Sequence, residues 1–208
     1  MKAPGGARHR ARRPGRVFVI SSPSGGGKTT VVNRIRAQLP RLVRSISVTT
    51  RPLRRGERRG RDYRFVSPEA FRRLRRAGRL LEWARVHGAW YGTPKRPVLQ
   101  ALARGHDVVL SIDVQGARQI RRTLGARAVL VFLVPPSLEQ LRRRLLRRRT
   151  ESPAAIRKRI AAAKRELACA AWYDYQVVND RLEQTVEQVK AIIARGGCEW
   201  HRSRLKSC

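Results

Sequence analysis

The chain contains 208 residues and carries a formal net charge of +34 at pH 7, a length sufficient for one sizeable domain with a buried hydrophobic core. Its three cysteines are odd in number and form no Cys-x-x-Cys pair, which argues against a disulfide scaffold or a zinc site and favours a reducing cytoplasm. The longest apolar run, at 128–136, is too short to cross a bilayer, so we expect no membrane association.

The positive charge is distributed along the whole chain, and 41 of the 48 basic residues are arginine. Such a charge attracts any polyanion without sequence preference. The sequence has no helix-turn-helix signature, zinc-finger spacing or aromatic-rich strand, so we expect no specific nucleic-acid partner. The two ends lack a hydrophobic pattern, and we expect a disordered basic tail at 1–15 and a basic C-terminal tail at 196–208.

A strand-like run, VFVIS at 17–21, leads directly into the glycine-rich stretch SPSGGGKTT at 22–30. Glycines allow successive backbone N–H groups to turn inward, and the helix that follows adds the positive end of its dipole. Lys28 is expected to reach the β- and γ-phosphates of a nucleoside triphosphate, and the Thr29 hydroxyl to ligate Mg²⁺. Ser22 replaces the first glycine of the pattern G-x-x-x-x-G-K-[ST], a tolerable change because the glycines that build the cradle follow it.

After this phosphate loop, apolar strand-like runs alternate with helical patterns. The predicted strands are 108–112, 128–134 and 175–178, and the predicted helices are 29–39, 114–124, 137–146, 153–171 and 182–194. Near-continuous apolar strands that alternate with helices are typical of a parallel sheet covered on both faces. We therefore predict an α/β fold whose core is a parallel sheet of the P-loop NTPase type, flanked by helices.

The segment 44–93 departs from this alternation. It shows only short alternating pieces at 63–66 and 80–86 and one brief helix at 68–77. We therefore predict a small mixed subdomain inserted at 44–93 into a core.

The core would then consist of 16–43 and 94–195. A second interruption, at 147–152, separates two arginine-rich helices, and it predicts a small, mobile, arginine-rich lid at about 142–159.

Several separate motifs accompany the phosphate loop. They are SISVTTRPLRRGE at 45–57, DYRFVS at 62–67, EWA at 82–84, YGT at 91–93 and DVQG at 113–116. In this order and spacing they resemble the guanylate kinases, a P-loop nucleoside monophosphate kinase family, from about Arg16 to Ile193. The resemblance implies transfer of the γ-phosphoryl group from ATP, with Mg²⁺, to GMP.

The resemblance also implies a GMP site. Its residues would be Ser47, Arg51, Arg54, Tyr63, Glu82, Tyr91, Gly92, Thr93 and Asp113. Their chemistry is suitable, because guanidinium groups bind a phosphate bidentately and phenolic hydroxyls donate to the same oxygens. A carboxylate can accept hydrogen bonds from both N1–H and the amino group of guanine, whereas it would repel the N1 acceptor of adenine.

On the donor side, the loop residues Ser24, Gly25, Gly26, Gly27, Lys28, Thr29 and Thr30 would hold ATP. Asn179, in a Val-Asn-Asp segment, matches a family position near the adenine side. The resemblance assigns lid roles to Arg144, Arg148 and Arg159, and catalytic roles to these three together with Lys28 and Arg51. Neighbouring arginines at 142, 143, 147 and 149 leave the assignment within the lid open.

One departure from the family pattern concerns the strand before the DVQG motif. The family commonly has Asp-x-Asp there, whereas this chain has Ser111-Ile112-Asp113. Asp113 is therefore expected at the carboxyl end of a core strand, where ligands bind in such sheets. Two other functions remain open from sequence: a related P-loop kinase for another phosphorylated small molecule, and a non-catalytic guanylate-kinase-like binding module.

The surplus positive charge leads to a prediction about the N-terminal tail. Deletion of residues 1–13 should leave kcat and guanine selectivity unchanged and should reduce retention on immobilised nucleic acid, mainly at low salt. The reason is that scattered surface charges are screened beyond about 8 Å at physiological ionic strength. Activity and retention measured at two salt concentrations test this, and sequence-specific binding that survives high salt but not the deletion would contradict it.

Overall fold

The computed structural model describes residues 14–54, 56–146 and 153–196. The strands are β1 (Val17–Ser21), β2 (Val43–Arg44), β3 (Val48–Thr49), β4 (Arg64–Phe65), β5 (Leu80–Val86), β6 (Ala89–Pro94), β7 (Val108–Ser111), β8 (Ala128–Val134) and β9 (Tyr175–Val178). The helices are α1 (Lys28–Gln38), α2 (Pro68–Arg76), α3 (Lys95–Ala103), α4 (Val114–Leu124), α5 (Leu138–Leu146), α6 (Pro153–Ala168) and α7 (Leu182–Ala194). Short 3₁₀ turns follow α4 and α6.

The core sheet has five parallel strands in the order β2-β7-β1-β8-β9. All five residues of the central strand β1 are buried, because helices cover both faces of the sheet. Val17 and Val19 pack toward α3 and α4, whereas Phe18 and Ile20 pack toward α1 and α7. Burial on both faces explains why these strands read as continuous apolar runs, and the predicted α/β fold is confirmed.

The second sheet is mixed, with the order β4-β3-β6-β5. β3 pairs in parallel with β4 and antiparallel with β6, and β5 and β6 form an antiparallel hairpin. Gln119 of α4 attaches this hairpin to the core: its side chain accepts from the Trp83 N–H at 3.1 Å and donates to the Trp83 carbonyl at 2.7 Å. The core helix therefore fixes the position of β5, which carries Glu82.

Several details differ from the sequence-based expectation. The insert contains four strands rather than two, and neither α3 nor the short core strand β2 was predicted. At the insert's ends, Arg44 belongs to a strand of the core sheet and Pro94 to the last strand of the second sheet. Among the described residues, no helix is both long and apolar enough to cross a membrane.

Candidate nucleotide-binding site

The phosphate loop between β1 and α1 is held in a conformation that requires glycine. Gly25 and Gly27 have φ values of 87° and 88°, in the left-handed region that residues with a Cβ rarely adopt. There is also no room for a side chain, because a Cβ would lie 2.7 Å from Leu145 Cδ2 at Gly25 and 2.7 Å from Asn179 Nδ2 at Gly27. The loop thus places backbone N–H groups and the N-terminus of α1 around one anion-binding concavity.

Ser22, which replaces the first glycine of the motif, fits into this loop. It is 2% exposed, and its hydroxyl donates to the Pro23 carbonyl at 3.0 Å. The Lys28 ammonium donates to the Ser22 carbonyl at 2.7 Å and to the Ser22 hydroxyl at 3.4 Å. The departure from the motif therefore adds a hydroxyl beside the lysine without opening the loop.

Asn179 supports the loop from the end of β9. Its side-chain amide donates to the Gly26 carbonyl at 2.6 Å, and it is 5% exposed. Arg144, on α5, donates to the Asn179 carbonyl at 3.0 Å. Asn179 and Arg144, two of the residues predicted on the ATP side, therefore support the loop rather than line the cavity. Arg148 lies outside the described residues.

Ser24 receives contacts from α6, and the sequence reasoning missed one of them. The Ser24 N–H donates to Glu166 Oε2 at 3.1 Å, and the Arg159 guanidinium lies 3.4 Å from the Ser24 hydroxyl. Burial raises the pKa of the Glu166 carboxyl, although Lys28 and the Ser24 N–H act in the opposite direction. The signal in the sequence was weak: Glu166 is one of nine glutamates, and it lies on an arginine-rich helix without a motif of its own.

Arg51 is already paired. Its guanidinium donates to both carboxylate oxygens of Glu57, at 2.7 and 2.5 Å, and lies 5.1 Å from the Tyr63 ring centre. Burial acts to raise the pKa of Glu57, but hydrogen bonds from the Arg51 side chain and the Arg54 N–H outweigh it, and the pKa lies below its ordinary value. Glu57, which the sequence analysis did not single out, thus holds the arginine in place.

Glu82 is buried at the base of the second sheet. It is 3% exposed, and the Thr93 hydroxyl donates to its Oε1 at 2.6 Å. Burial, helped by the nearby Asp113 charge, raises the pKa of Glu82 to about 7, although the Thr93 hydrogen bond lowers it. A Cβ at Gly116 would lie 2.4 Å from Glu82 Oε2, so the glycine of the DVQG motif makes room for this carboxylate.

Asp113 lies just after the carboxyl end of β7, as the sequence predicted, and it caps the N-terminus of α4. Its Oδ1 accepts from the Gly116 N–H at 2.9 Å, which caps the helix, and its Oδ2 accepts from Gln115 at 3.2 Å. Ser111 lies two residues earlier, half-buried at the end of β7. Both residues face the same cavity as the phosphate loop.

This cavity has a volume of about 200 Å³. The loop forms one end, the second sheet forms the other, and the end of β7 lies between them. Of the predicted site residues, those that line it are Ser24, Gly25, Gly26, Gly27, Lys28, Thr29, Thr30, Ser47, Arg54, Tyr63, Glu82, Tyr91, Asp113 and Arg159. Arg51, Gly92, Thr93, Arg144 and Asn179 do not line it; Thr93 and Asn179 instead hold residues that do.

A phosphate loop that shares one cavity with a buried carboxylate, an arginine and two tyrosines defines a P-loop kinase with room for a second, phosphorylated substrate. Comparison with known proteins gives the family. The family model described as guanylate kinase matches residues 14–196.

The chain is 51% identical over 178 residues to guanylate kinase of Gloeobacter violaceus, covering 86% of each chain. It is 45% identical over 196 residues to guanylate kinase of Syntrophotalea carbinolica, covering 94% of this chain and 93% of the relative. The crystal structure of guanylate kinase from Anaplasma phagocytophilum superposes with a TM-score of 0.76 at 34% identity, covering 90% and 88%. The chain belongs to the guanylate kinase family, and the two other functions left open by the sequence are not favoured.

The environment of Glu82 generates a prediction about stability. A carboxyl whose pKa is about 7 in the folded protein and about 4.5 in the unfolded chain contributes stability below pH 4.5 that is lost as the pH rises through 7. Glu82→Gln removes this loss. We expect the variant to gain about 2–3 kcal/mol relative to the parent between pH 5 and pH 8. Urea unfolding at both pH values measures the difference, and an equal difference at the two would contradict the assigned pKa.

Proposed function

We propose that this chain transfers the γ-phosphoryl group of ATP to GMP, giving ADP and GDP, within the cavity between the phosphate loop and the second sheet. The observation that carries the proposal is the continuity of that cavity, which contains Lys28 at one end and Glu82 at the other. None of the proposed contacts involves the ribose 2′-hydroxyl, so dGMP is expected to serve as well. The cysteine composition supports a cytoplasmic location.

In this proposal Glu82 recognises the guanine base. Its ionised carboxylate would accept hydrogen bonds from N1–H and the amino group, with Ser47, which also lines the cavity, completing the contacts. Thr93 already donates to Oε1 at 2.6 Å, so the carboxylate is held in one orientation before the base arrives. Preorganisation of this kind reduces the ordering cost of binding.

The GMP phosphate would bind to Arg51, Arg54, Tyr63 and Tyr91. Glu57 accepts hydrogen bonds from both terminal nitrogens of the Arg51 guanidinium, so the phosphate either displaces this carboxylate or binds beside it. An ion pair formed in advance keeps the guanidinium in place near the two tyrosines. Arg54, whose N–H donates to the same Glu57 carboxylate at 2.9 Å, links the cavity to this pair.

The transfer step would need no general base. An oxygen of the GMP phosphate, already anionic at neutral pH, attacks the γ-phosphorus, and the bond to the β,γ-bridging oxygen breaks so that ADP leaves with that oxygen. Lys28 and Arg159, which line the cavity, would neutralise the charge shared by the two phosphate groups, and the lid residues Arg144 and Arg148 would join them when the lid closes. The contribution of the protein is therefore alignment and charge stabilisation.

The residues present fit a magnesium ion that is held largely by the nucleotide. Within 14–54, 56–146 and 153–196, no cluster of three or more His, Cys, Asp or Glu side chains could hold a metal by itself. Mg²⁺ commonly takes one or two protein ligands together with substrate phosphates and water. The Thr29 hydroxyl, on the first turn of α1 and facing the cavity, is the ligand we propose, and the ion would supply further charge neutralisation when bound.

The proposed division of labour follows the chain. Residues 16–43 and 94–195 would form the core that binds ATP, 44–93 the insert that binds GMP, and about 142–159 the lid, with basic tails at both ends. Closure of insert and lid would exclude water that could otherwise hydrolyse ATP. A coupled assay with ATP and each of GMP, dGMP, AMP, UMP and ribose phosphates tests the function, and phosphorylation of AMP or ribose phosphate in preference to GMP would overturn it.

The proposed role of Lys28 predicts the effect of its replacement on activity. Lys28→Met should lower kcat by about 10²–10³, the typical cost of losing one electrostatic stabiliser of the transition state, while GMP affinity is retained. Lys190→Met is the matched control, because Lys190 lies on α7 in a surface ion pair with Glu187. Steady-state kinetics and equilibrium GMP binding compare the two variants with the parent. A kcat of Lys28→Met within a few-fold of the parent would contradict the assignment of the loop.

The raised pKa of Glu82 predicts how GMP binding depends on pH. Protonated Glu82 cannot accept both guanine hydrogens, so GMP affinity should fall by up to about tenfold per unit as the pH drops below about 7. In Glu82→Gln the affinity should be weaker at pH 8 by roughly 1.5–3 kcal/mol, and this pH dependence should disappear.

Titration of the GMP phosphate, with a pKa near 6, affects both proteins equally and therefore cancels in the comparison. Calorimetric titration at pH 6, 7 and 8 provides the measurement. Parallel pH profiles for parent and variant would show that Glu82 does not contact the base.

A further inference from the structure

The turn that joins β5 to β6 has an unusual residue at its tip. His87 and Gly88 have φ values of 48° and 86°, the pair of left-handed residues that a two-residue type I′ hairpin turn needs. Asn or Gly is the favoured first residue of such a turn, and within the described part of the chain His87 is the one non-glycine residue with positive φ. Histidine adopts positive φ more readily than most residues, so the turn permits a histidine here without favouring it.

The imidazole makes a contact across the cavity. His87 Nε2 lies 3.2 Å from the hydroxyl of Ser24, on the phosphate loop, and both residues line the cavity. The same hydroxyl lies 3.4 Å from the Arg159 guanidinium, and the Ser24 N–H donates to Glu166. Ser24 is thus the point at which the insert, the phosphate loop and α6 meet.

We propose that His87 is a positioning residue: through its hydrogen bond to Ser24 it fixes the β5–β6 hairpin against the phosphate loop and so sets the separation of the two substrates. The inference rests on the proposed function and deepens it. The hairpin has a continuous ladder from Trp83 to Val86, and it carries Glu82 on β5 and Tyr91 and Thr93 on β6. A contact at its tip therefore limits the position of the whole acceptor site relative to Lys28.

The effect on catalysis follows from geometry. In-line transfer needs the attacking oxygen about 3–3.5 Å from the phosphorus, and a displacement of about 1 Å can cost as much as 10² in rate. A loosened hairpin would still bind each nucleotide, because the loop and the guanine site are each complete. The predicted signature is a loss of kcat at nearly unchanged KM.

The test uses His87→Asn, which suits the type I′ turn at least as well as histidine, so the fold should be kept and Tm unchanged or higher. The asparagine amide ends near the position of Nδ1 and cannot reach Ser24. We expect kcat to fall about three- to tenfold, with the KM for ATP and for GMP within twofold of the parent. His106→Asn, the same replacement in a turn that does not line the cavity, is the matched control.

A double-mutant cycle with Ser24→Ala assigns the effect to the contact. Ser24→Ala lowers kcat by itself because it removes the hydroxyl that both His87 and Arg159 contact. If His87 acts through Ser24, then His87→Asn causes little further loss in the Ser24→Ala background. An unchanged kcat in His87→Asn, or the same fold-loss in both backgrounds, would overturn the proposal.

A second readout separates this inference from the proposed function. If the parent protein phosphorylates no GMP, the proposed function fails, and the contact is judged by amide hydrogen exchange of the ligand-free protein. Faster exchange across 22–30 in His87→Asn, and not in His106→Asn, supports the contact. Equal exchange in parent and variant overturns it, whatever the activity.

Discussion

The left-handed bend of the phosphate loop is the constraint on which the remaining site depends. Two backbone positions must have positive φ, and both are closely surrounded, Gly25 by Leu145 and Gly27 by Asn179. Helix α5 and the end of β9 therefore pack directly against the loop's backbone. Because β1 is buried on both faces, the start of this bend is fixed in the centre of the core, and the geometry of the anion site follows from the packing of the sheet.

Carboxylates are concentrated around that site, next to the cationic side chains that also line it. In a protein with a formal charge of +34, the carboxylates Glu57, Glu82, Asp113 and Glu166 gather at or beside the cavity. Glu57 and Asp113 are stabilised by hydrogen bonds from an arginine or from backbone N–H groups. Glu82 is buried and accepts hydrogen bonds from neutral groups of Thr93, so it lowers the stability of the free protein at neutral pH. A buried ionisable group that costs stability in this way is expected at a site that binds a ligand.

The parts that the sequence predicted are those where one strong local pattern decides the structure. The strands 128–134 and 175–178 and the helices 114–124 and 182–194 have the predicted bounds, because continuous apolar runs and helical periodicity reflect burial directly. β2, β3 and β4 are two residues long, too short for any period, and β6 contains Gly92 and Pro94. The phosphate loop could be predicted because glycine and lysine spacing encode it locally. Glu57, Glu166 and His87 could not be predicted, because each is important through a partner that only the fold brings near. His87 also lies in a turn for which other residues are better suited.

The contacts at Ser24 show why such residues matter for a reaction between two anions. In the proposed function the loop would bind phosphate without help from the insert, and the insert holds its carboxylate without help from the loop, so neither substrate site by itself would define their separation. Gln119 holds β5 to α4, and we expect the remaining freedom in that separation to depend on the bonds that cross the cavity. The described contacts to the Ser24 hydroxyl come from opposite sides, His87 on the hairpin and Arg159 on α6. A hydroxyl can accept from one neighbour while it donates to another, so a single small side chain can hold both sides at once. Replacement of Ser24 by glycine or alanine would keep the loop's backbone path yet remove this link, which is a physical reason for a polar residue at a position that the phosphate motif itself leaves free.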